Sequence, residues 1–216
     1  MGRNAKARRE RKKAERYTTT TPVSTPRIGI DQALGELQLL LDPSKLTVPN
    51  AVNDDVARFC NTISEAEPFF IDVEPELWSR QSLCNLNVQE YIRLNGGSMV
   101  CWYKIWYHAP MYMEAERHAI WFKNGEYKDI SFNADGEKRI LFLPDIPEKQ
   151  GALELNRPRF RWGKDAHTKQ LIEIMALNEQ TVPRQQMDES TAWKVMLTYE
   201  DWLKGKRMPS SIPVFQ

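Results

Sequence analysis

The chain has 216 residues, of which 41% are hydrophobic, and its formal net charge is +1. This size suits one packed domain with appendages, and the absence of an apolar run of about eighteen residues excludes a membrane-spanning helix. Three cysteines without regular spacing argue against a disulfide framework, and the charged N-terminus lacks the apolar core of a secretory signal, so we expect a cytoplasmic protein.

The small net charge conceals a basic segment at the start of the chain. Residues 1–16 hold eight basic and two acidic residues, a net charge of +6, whereas the other residues together carry −5. A segment of this kind without an apolar face favours a disordered arm that binds the phosphate backbone of a nucleic acid, and a solubilising tail is the alternative. The candidate nucleic-acid-binding residues are Arg3, Lys6, Arg8, Arg9, Arg11, Lys12, Lys13 and Arg16.

Composition divides the chain into four parts. The basic arm covers residues 1–17 and is followed by a Thr/Pro linker over 18–29. Residues 30–208 are expected to form a single domain, and residues 209–216 a loose tail.

The domain begins with two predicted helices and a strand. Apolar residues at helical spacing predict a helix over 30–41, and Asn53 or Asp54 is expected to cap a short helix that reaches about Ser64. The β-branched and aromatic residues of 69–73 predict a strand. We expect these elements to pack on the core of the domain.

The next helix carries a cysteine at its start. An apolar helical pattern runs from Cys84 to Leu94 and ends at Gly96–Gly97. Ser82 is the expected N-cap, which places the Cys84 thiol in the first turn. The unpaired N–H groups and the dipole of a helix start favour a thiolate there.

Three strands should follow the glycines. Residues 98–107 are rich in aromatic and β-branched types, and residues 111–123 and 126–132 meet at Asn124–Gly125. Asn-Gly between two strands is the strongest short signal for a hairpin with a two-residue turn.

The hairpin fixes which residues meet across it. If Asn124–Gly125 is the loop, His118 lies opposite Ser131 and Ile120 lies opposite Asp129. His118 and Asp129 are then diagonal neighbours on one face of the sheet, where a carboxylate can orient an imidazole. A nucleophile can be supplied by Cys84 if its helix packs on this sheet.

Taken together, these residues resemble the transglutaminase-like branch of the papain-like cysteine enzymes. The family has a Cys at a helix start, then a glycine and a strand, then a His in a His-Ala-Trp-like context, a Gly turn and an Asp. The matching segments here are Cys84, His118–Trp121, Asn124–Gly125 and Asp129–Ser131, about fifty residues in all. The resemblance implies a Cys-His-Asp triad that acts on amide carbonyl groups without a cofactor.

The C-terminal part is predicted to be mainly helical. Residues 139–143 predict a last strand, and the alternating Arg and aromatic residues of Arg157–Trp162 are expected to form a solvated charged rim, with nucleotide stacking as the alternative. Residues 164–177 predict a helix. Asp188 is the expected cap of another, over 192–204.

A rival site uses the same strand as His118. Glu114, Glu116 and His118 alternate and could hold a metal with Cys84 or His108. No Cys or His pair at zinc spacing accompanies them, so we expect no metal. Phosphate-binding glycine loops and serine-hydrolase motifs are also absent from the sequence.

The sequence therefore predicts an α+β domain with a mostly antiparallel sheet of consecutive strands. A helix with Cys84 at its N-terminus packs on this sheet, and helices follow at the C-terminus. The predicted function is that of a cysteine-dependent amide hydrolase or acyl transferase acting on a peptide or another amide through Cys84, His118 and Asp129. Gln81, Asn85 and Ser131 are the expected oxyanion and supporting residues. The alternative is a non-catalytic protein that binds nucleic acid or a ribonucleoprotein through the arm.

Overall fold

In the described part of the domain two helices, a strand and a further helix precede a run of five strands, and helices follow. The computed structural model describes residues 29–40, 42, 45–145, 159–181 and 187–208, and the described residues from Ala33 onward belong to one compact unit. The predicted arm and tail, and the linker except Gly29, lie outside them. The elements in chain order are α1 (Ile30–Leu40), α2 (Asp54–Asn61), β1 (Phe69–Asp72), α3 (Cys84–Asn95), β2 (Ser98–His108), β3 (Tyr112–Lys123), β4 (Glu126–Lys128), β5 (Arg139–Leu143), β6 (Phe160–Gly163), α4 (Ala166–Thr181), α5 (Glu189–Val195) and α6 (Tyr199–Leu203).

The six strands form one antiparallel sheet, which confirms the α+β class. The strand order is β1-β5-β2-β3-β4, and β6 pairs with the remaining part of β3. The expectation that neighbours would be consecutive is wrong for β5, which lies between β1 and β2. β5 is buried over four of its five residues, and a position between two strands is what provides that burial.

The hairpin between β3 and β4 has the predicted turn. Lys123 pairs with Glu126, and Asn124 and Gly125 have φ angles of 53° and 87°. Positive φ at both loop residues is the conformation that a tight hairpin between twisted strands requires. β4 is shorter than expected, because the chain leaves β3 after Lys128.

After β4 the chain passes next to β1, the strand at the opposite end of the strand order. Asp129 forms a parallel bridge with Val73, just beyond β1, so the two ends of the strand order meet. The Phe69 and Tyr127 rings, from β1 and β4, lie 5.4 Å apart. The sheet therefore has an inner face, which carries Trp102, His118 and the buried cluster of Ile71, Ile120, Ile140 and Phe142.

Helix α2 covers the outer face, and α3 packs against β3. α2 is capped by the Asn53 side chain, which accepts from Val56 N at 3.0 Å, and it packs on β2, β3 and β5. α3 packs Val88 against Ala119 and Trp121 of β3.

The start of α3 differs from the expectation. Ser82 does not cap the helix: it has a φ of 60°, and Leu83 occupies the N-cap position without a side-chain bond. Leu83 is buried with Ala192 and Met196, so its burial fixes the turn that precedes the helix. A non-glycine residue in the left-handed region costs about 1 kcal/mol or more.

The C-terminal region also differs from the expectation. The helix predicted over 192–204 is two helices, because Met196 is extended and buried, and Thr198 caps α6 by accepting from Asp201 N at 3.0 Å. Asp188 caps α5 as predicted. Within Arg157–Trp162, residues 160–162 belong to strand β6.

Candidate active site

His118 and Asp129 are hydrogen bonded on the inner face of the sheet. His118 Nε2–H donates to Asp129 Oδ2 at 3.0 Å, and both side chains are buried. The predicted turn at Asn124–Gly125 brings Asp129 to the end of β4, but the expected pairs His118–Ser131 and Ile120–Asp129 do not form, because β4 ends at Lys128 and Asp129 bridges Val73 instead. Because Nε2 is held by the carboxylate, Nδ1 is the ring nitrogen that can exchange a proton with another group.

Asp129 is fixed from several directions. Its Oδ1 accepts from Ser131 N at 2.9 Å, which is a local Asp-turn bond. Its carbonyl oxygen accepts from Glu74 N at 2.8 Å, and its own N–H donates to Asp72 O at 3.3 Å. The bridge to the end of β1 therefore holds the carboxylate that orients His118.

Cys84 is the first residue of α3, and its side chain is half-buried. It lies on the face of the helix that carries Asn87, Val88 and Tyr91, which is the face turned to the sheet. Cys84 is near enough to His118 to help raise the pKa of the imidazole. α3, β3 and the segment after β4 thus bring a thiol, an imidazole and a carboxylate together, in the chain order Cys, His, Asp.

These neighbours change the protonation of His118. Burial by itself lowers the pKa of the ring, but the Asp129 carboxylate and Cys84 outweigh it through charge and hydrogen bonds and raise the pKa to about 10. A protonated imidazole is therefore favoured beside the Asp129 carboxylate. That arrangement suits an imidazolium that stabilises a thiolate and later donates its proton.

Asn87 supports the site, and sequence reasoning missed it. It is fully buried on α3, where its amide donates to Arg80 O at 2.8 Å and to Ser131 Oγ at 3.2 Å. Its Oδ1 accepts from Arg80 N at 2.7 Å. Asn87 follows Cys84 by three residues, so it ties the helix turn of the thiol to the loop of Asp129. A polar residue among the apolar positions of the helix was the available signal.

The three predicted supporting residues differ in how the structure connects them to the site. Ser131 is buried and lies in the site through its bonds to Asn87 and Asp129. Gln81 lies three residues before Cys84, with its backbone N–H donating to Leu197 O at 2.9 Å. Asn85 is half-buried next to Cys84. In the described part of the chain neither the Gln81 nor the Asn85 side chain makes a hydrogen bond, so an oxyanion role for either stays a prediction.

The rival metal ligands are committed to other contacts. Glu114 pairs with Arg159 at 2.9 Å and Arg161 at 3.1 Å, and Glu116 pairs with Arg159 at 3.1 Å. His108 donates from Nδ1 to Leu40 O at 2.8 Å. Over the described ranges no group of three or more metal-binding side chains occurs.

These ion pairs show that the solvated charged rim expected from the sequence is wrong for Arg159 and Arg161. The Arg161 side chain is only 7% exposed and also reaches Glu179 of α4 at 2.8 Å. We name Glu114, Glu116, Arg159, Arg161 and Glu179 the Glu–Arg cluster. The alternating arginines of β6 are explained by the alternating glutamates of β3, against which β6 pairs.

Comparisons of the chain with models of protein families, with curated proteins and with solved structures find no match. In the part of the chain that the structure describes, no helix combines the length and the apolarity needed to cross a bilayer.

Proposed function

We propose that the protein is a cysteine-dependent amide hydrolase or acyl transferase with Cys84 as nucleophile. The observation that carries the proposal is one buried imidazole, His118, that is hydrogen bonded to the Asp129 carboxylate and whose pKa is raised by Asp129 and Cys84. The order and spacing of these residues, and their resemblance to the transglutaminase-like enzymes, support it. The expected substrate is a peptide or another amide.

The reaction would proceed through a thioester. The thiolate of Cys84 attacks the carbonyl carbon, and His118 donates its Nδ1 proton to the leaving amine as the C–N bond breaks. Water, or an acceptor amine, then attacks the thioester while His118 takes its proton and Cys84 leaves. Asp129 keeps the ring oriented and stabilises its charge throughout. The N–H groups at the start of α3, with Gln81 or Asn85, would stabilise the oxyanion.

Trapping of the acyl group tests this proposal. The folded protein is mixed with activated esters and peptide amides and then quenched in acid, and its mass is measured. We expect an added acyl group on Cys84 that hydroxylamine removes, and no such group in the Cys84→Ala variant. Equal acylation of a Cys101→Ala control and of Cys84→Ala would contradict the assignment.

A reducing compartment such as the cytoplasm fits this chemistry. In the described part of the chain, Cys60, Cys84 and Cys101 form no disulfide. A nucleophilic thiol must stay reduced to act, and the cytoplasm keeps it so.

A second candidate function is nucleic-acid binding through the basic arm, favoured by its charge of +6. Arg159 and Arg161, which would otherwise offer a second contact, are paired with glutamates. We expect RNA or DNA binding to weaken by orders of magnitude between about 50 and 200 mM salt. Deletion of residues 1–16 should abolish it and leave the reactivity of Cys84 intact. Undiminished binding by the truncated chain would contradict this role of the arm.

A further inference from the structure

A buried lysine lies on the same face of the sheet as His118. Lys104 is 1% exposed and lies on β2 opposite Glu116 of β3. The adjacent pair on the same face of these two strands is Trp102 with His118. Lys104 and His118 are therefore diagonal neighbours on the inner face. An ammonium in such a place is costly unless charges nearby compensate it.

The direct contacts of Lys104 carry no negative charge. Its Nζ donates to Asn133 Oδ1 at 2.8 Å and lies 3.9 Å from the centroid of the Trp106 ring. Among the described residues no carboxylate comes within ion-pair distance of this Nζ. The charge must be balanced by groups somewhat further away.

Four acidic groups face the ammonium. Burial lowers the pKa of Lys104, and Asp129, Glu116, Glu137 and Cys84 act against that effect, in this order. The two glutamates have partners of their own. Glu116 accepts from Trp106 Nε1 at 2.7 Å and pairs with Arg159, and Glu137 accepts from Val48 N at 2.8 Å and from Asn133 Nδ2 at 2.7 Å.

The other two acidic groups near Lys104 are Asp129 and Cys84, and both belong to the candidate active site. An imidazolium, a thiolate and a carboxylate sum to one negative charge, and the ammonium of Lys104 brings the set to zero. Without that ammonium, His118 alone would have to neutralise both Asp129 and a thiolate at Cys84.

We propose that Lys104 is a positioning residue of the site, a buried counter-charge to Asp129 and the Cys84 thiolate that keeps the imidazolium of His118 available to the thiolate. Its bond to Asn133 also anchors the loop that carries Asp129, four residues before. This inference rests on the proposed function of Cys84, His118 and Asp129.

The pH profile of Cys84 alkylation by iodoacetamide tests the proposal. In Lys104→Met, which keeps most of the length of the side chain without its charge, we expect the acidic limb of the profile to move up by about one pH unit and the rate at the wild-type midpoint to fall about fivefold. Lys104→Arg should keep the wild-type profile. A purely structural role would change stability and leave the position of the limb unchanged.

Asn133→Asp is the second variant, for the case in which Lys104→Met does not fold. It places a carboxylate on the ammonium without removing the lysine, and it should move the limb in the same direction. Asn133→Ser, which adds no charge, is its control. An unmoved limb in folded Lys104→Met or in Asn133→Asp would overturn the proposal.

The wild-type profile separates this failure from failure of the proposed function. If alkylation at Cys84 shows no acidic limb that His118→Gln removes, the thiolate–imidazolium pair is wrong and Lys104 has nothing to compensate. If that limb is present and Lys104→Met leaves it in place, only the role of Lys104 fails.

Discussion

The inner face of the sheet carries two polar clusters, and they differ in how their charges are matched. In the Glu–Arg cluster each buried carboxylate meets an arginine directly, and Glu114 is in contact with two. At the other cluster a half-buried thiol, an imidazole and a carboxylate lie together, and the buried Lys104 binds the neutral Asn133 amide. The first arrangement fixes strand β6 to β3. The second holds the imidazole whose pKa is most strongly raised among the described histidines, which is the kind of perturbation that marks a candidate functional site.

Breaking the Glu–Arg cluster should have the largest effect on stability. Glu114→Gln removes the carboxylate that Arg159 and Arg161 share and leaves Arg159 with Glu116 and the buried Arg161 with Glu179. We expect the free energy of unfolding to fall by about 3 kcal/mol in urea denaturation. Alkylation of Cys84 in the folded protein should not change. Exposed Glu126→Gln on β4 is the control, and an equal loss there would contradict the structural role of the cluster.

Asp129→Asn tests the other cluster, because it keeps the shape of the side chain and removes its charge. The pKa of His118, raised to about 10 with Asp129 in place, should fall by about 1–3 units. An NMR titration of the ring measures the shift. Exposed Asp72→Asn on β1 should leave the titration unchanged, and a His118 that titrates alike in all three proteins would refute the contact.

The same raised pKa predicts how stability depends on pH. His118 gains its charge more easily in the folded chain than in the unfolded one, so its stabilising contribution is complete below about pH 6.5 and is lost as the pH rises through about 10. The stability difference between wild type and His118→Gln should therefore shrink by a few kcal/mol over this range. Urea denaturation at several pH values measures it. A difference that grows with pH would show the opposite sign.

The smallest predicted effect concerns Ser82. Its φ of 60° suits glycine, so Ser82→Gly should leave stability unchanged or raise it by up to about 1 kcal/mol. Asn124→Gly, at a φ of 53° in the hairpin, is the matched control. Thermal unfolding compares the two variants with wild type. A loss of more than about 1 kcal/mol in Ser82→Gly would mean that the serine side chain supports the loop before Cys84.

Local patterns carried most of what the sequence could predict. The turn at Asn124–Gly125 fixes the β3–β4 register, because only two residues separate the strands, and it brings Asp129 near His118. Helix α3 ends at Gly96 for an equally local reason, since its positive φ terminates the helix.

Contacts between distant parts of the chain could not be predicted in this way. The insertion of β5 between β1 and β2, and the bridge from Val73 to Asp129, depend on how buried surfaces fit together. The partners of Asn87 and Lys104 are distant in sequence for the same reason. Ser82 failed as a cap because burial of Leu83 outweighed the local preference of a serine.

Competitive alkylation near pH 6.5 tests the central claim most directly. The folded protein is treated with a limiting amount of iodoacetamide, and mass spectrometry gives the modified fraction of each cysteine. Cys60 is buried and its pKa is raised to about 12 by burial, and Cys101 is half-buried in β2. We predict that Cys84 reacts at least about tenfold faster than either, and that His118→Gln removes this advantage. Slower reaction of Cys84 than of Cys101, or an advantage that persists in His118→Gln, would contradict the assignment of Cys84 as the nucleophile.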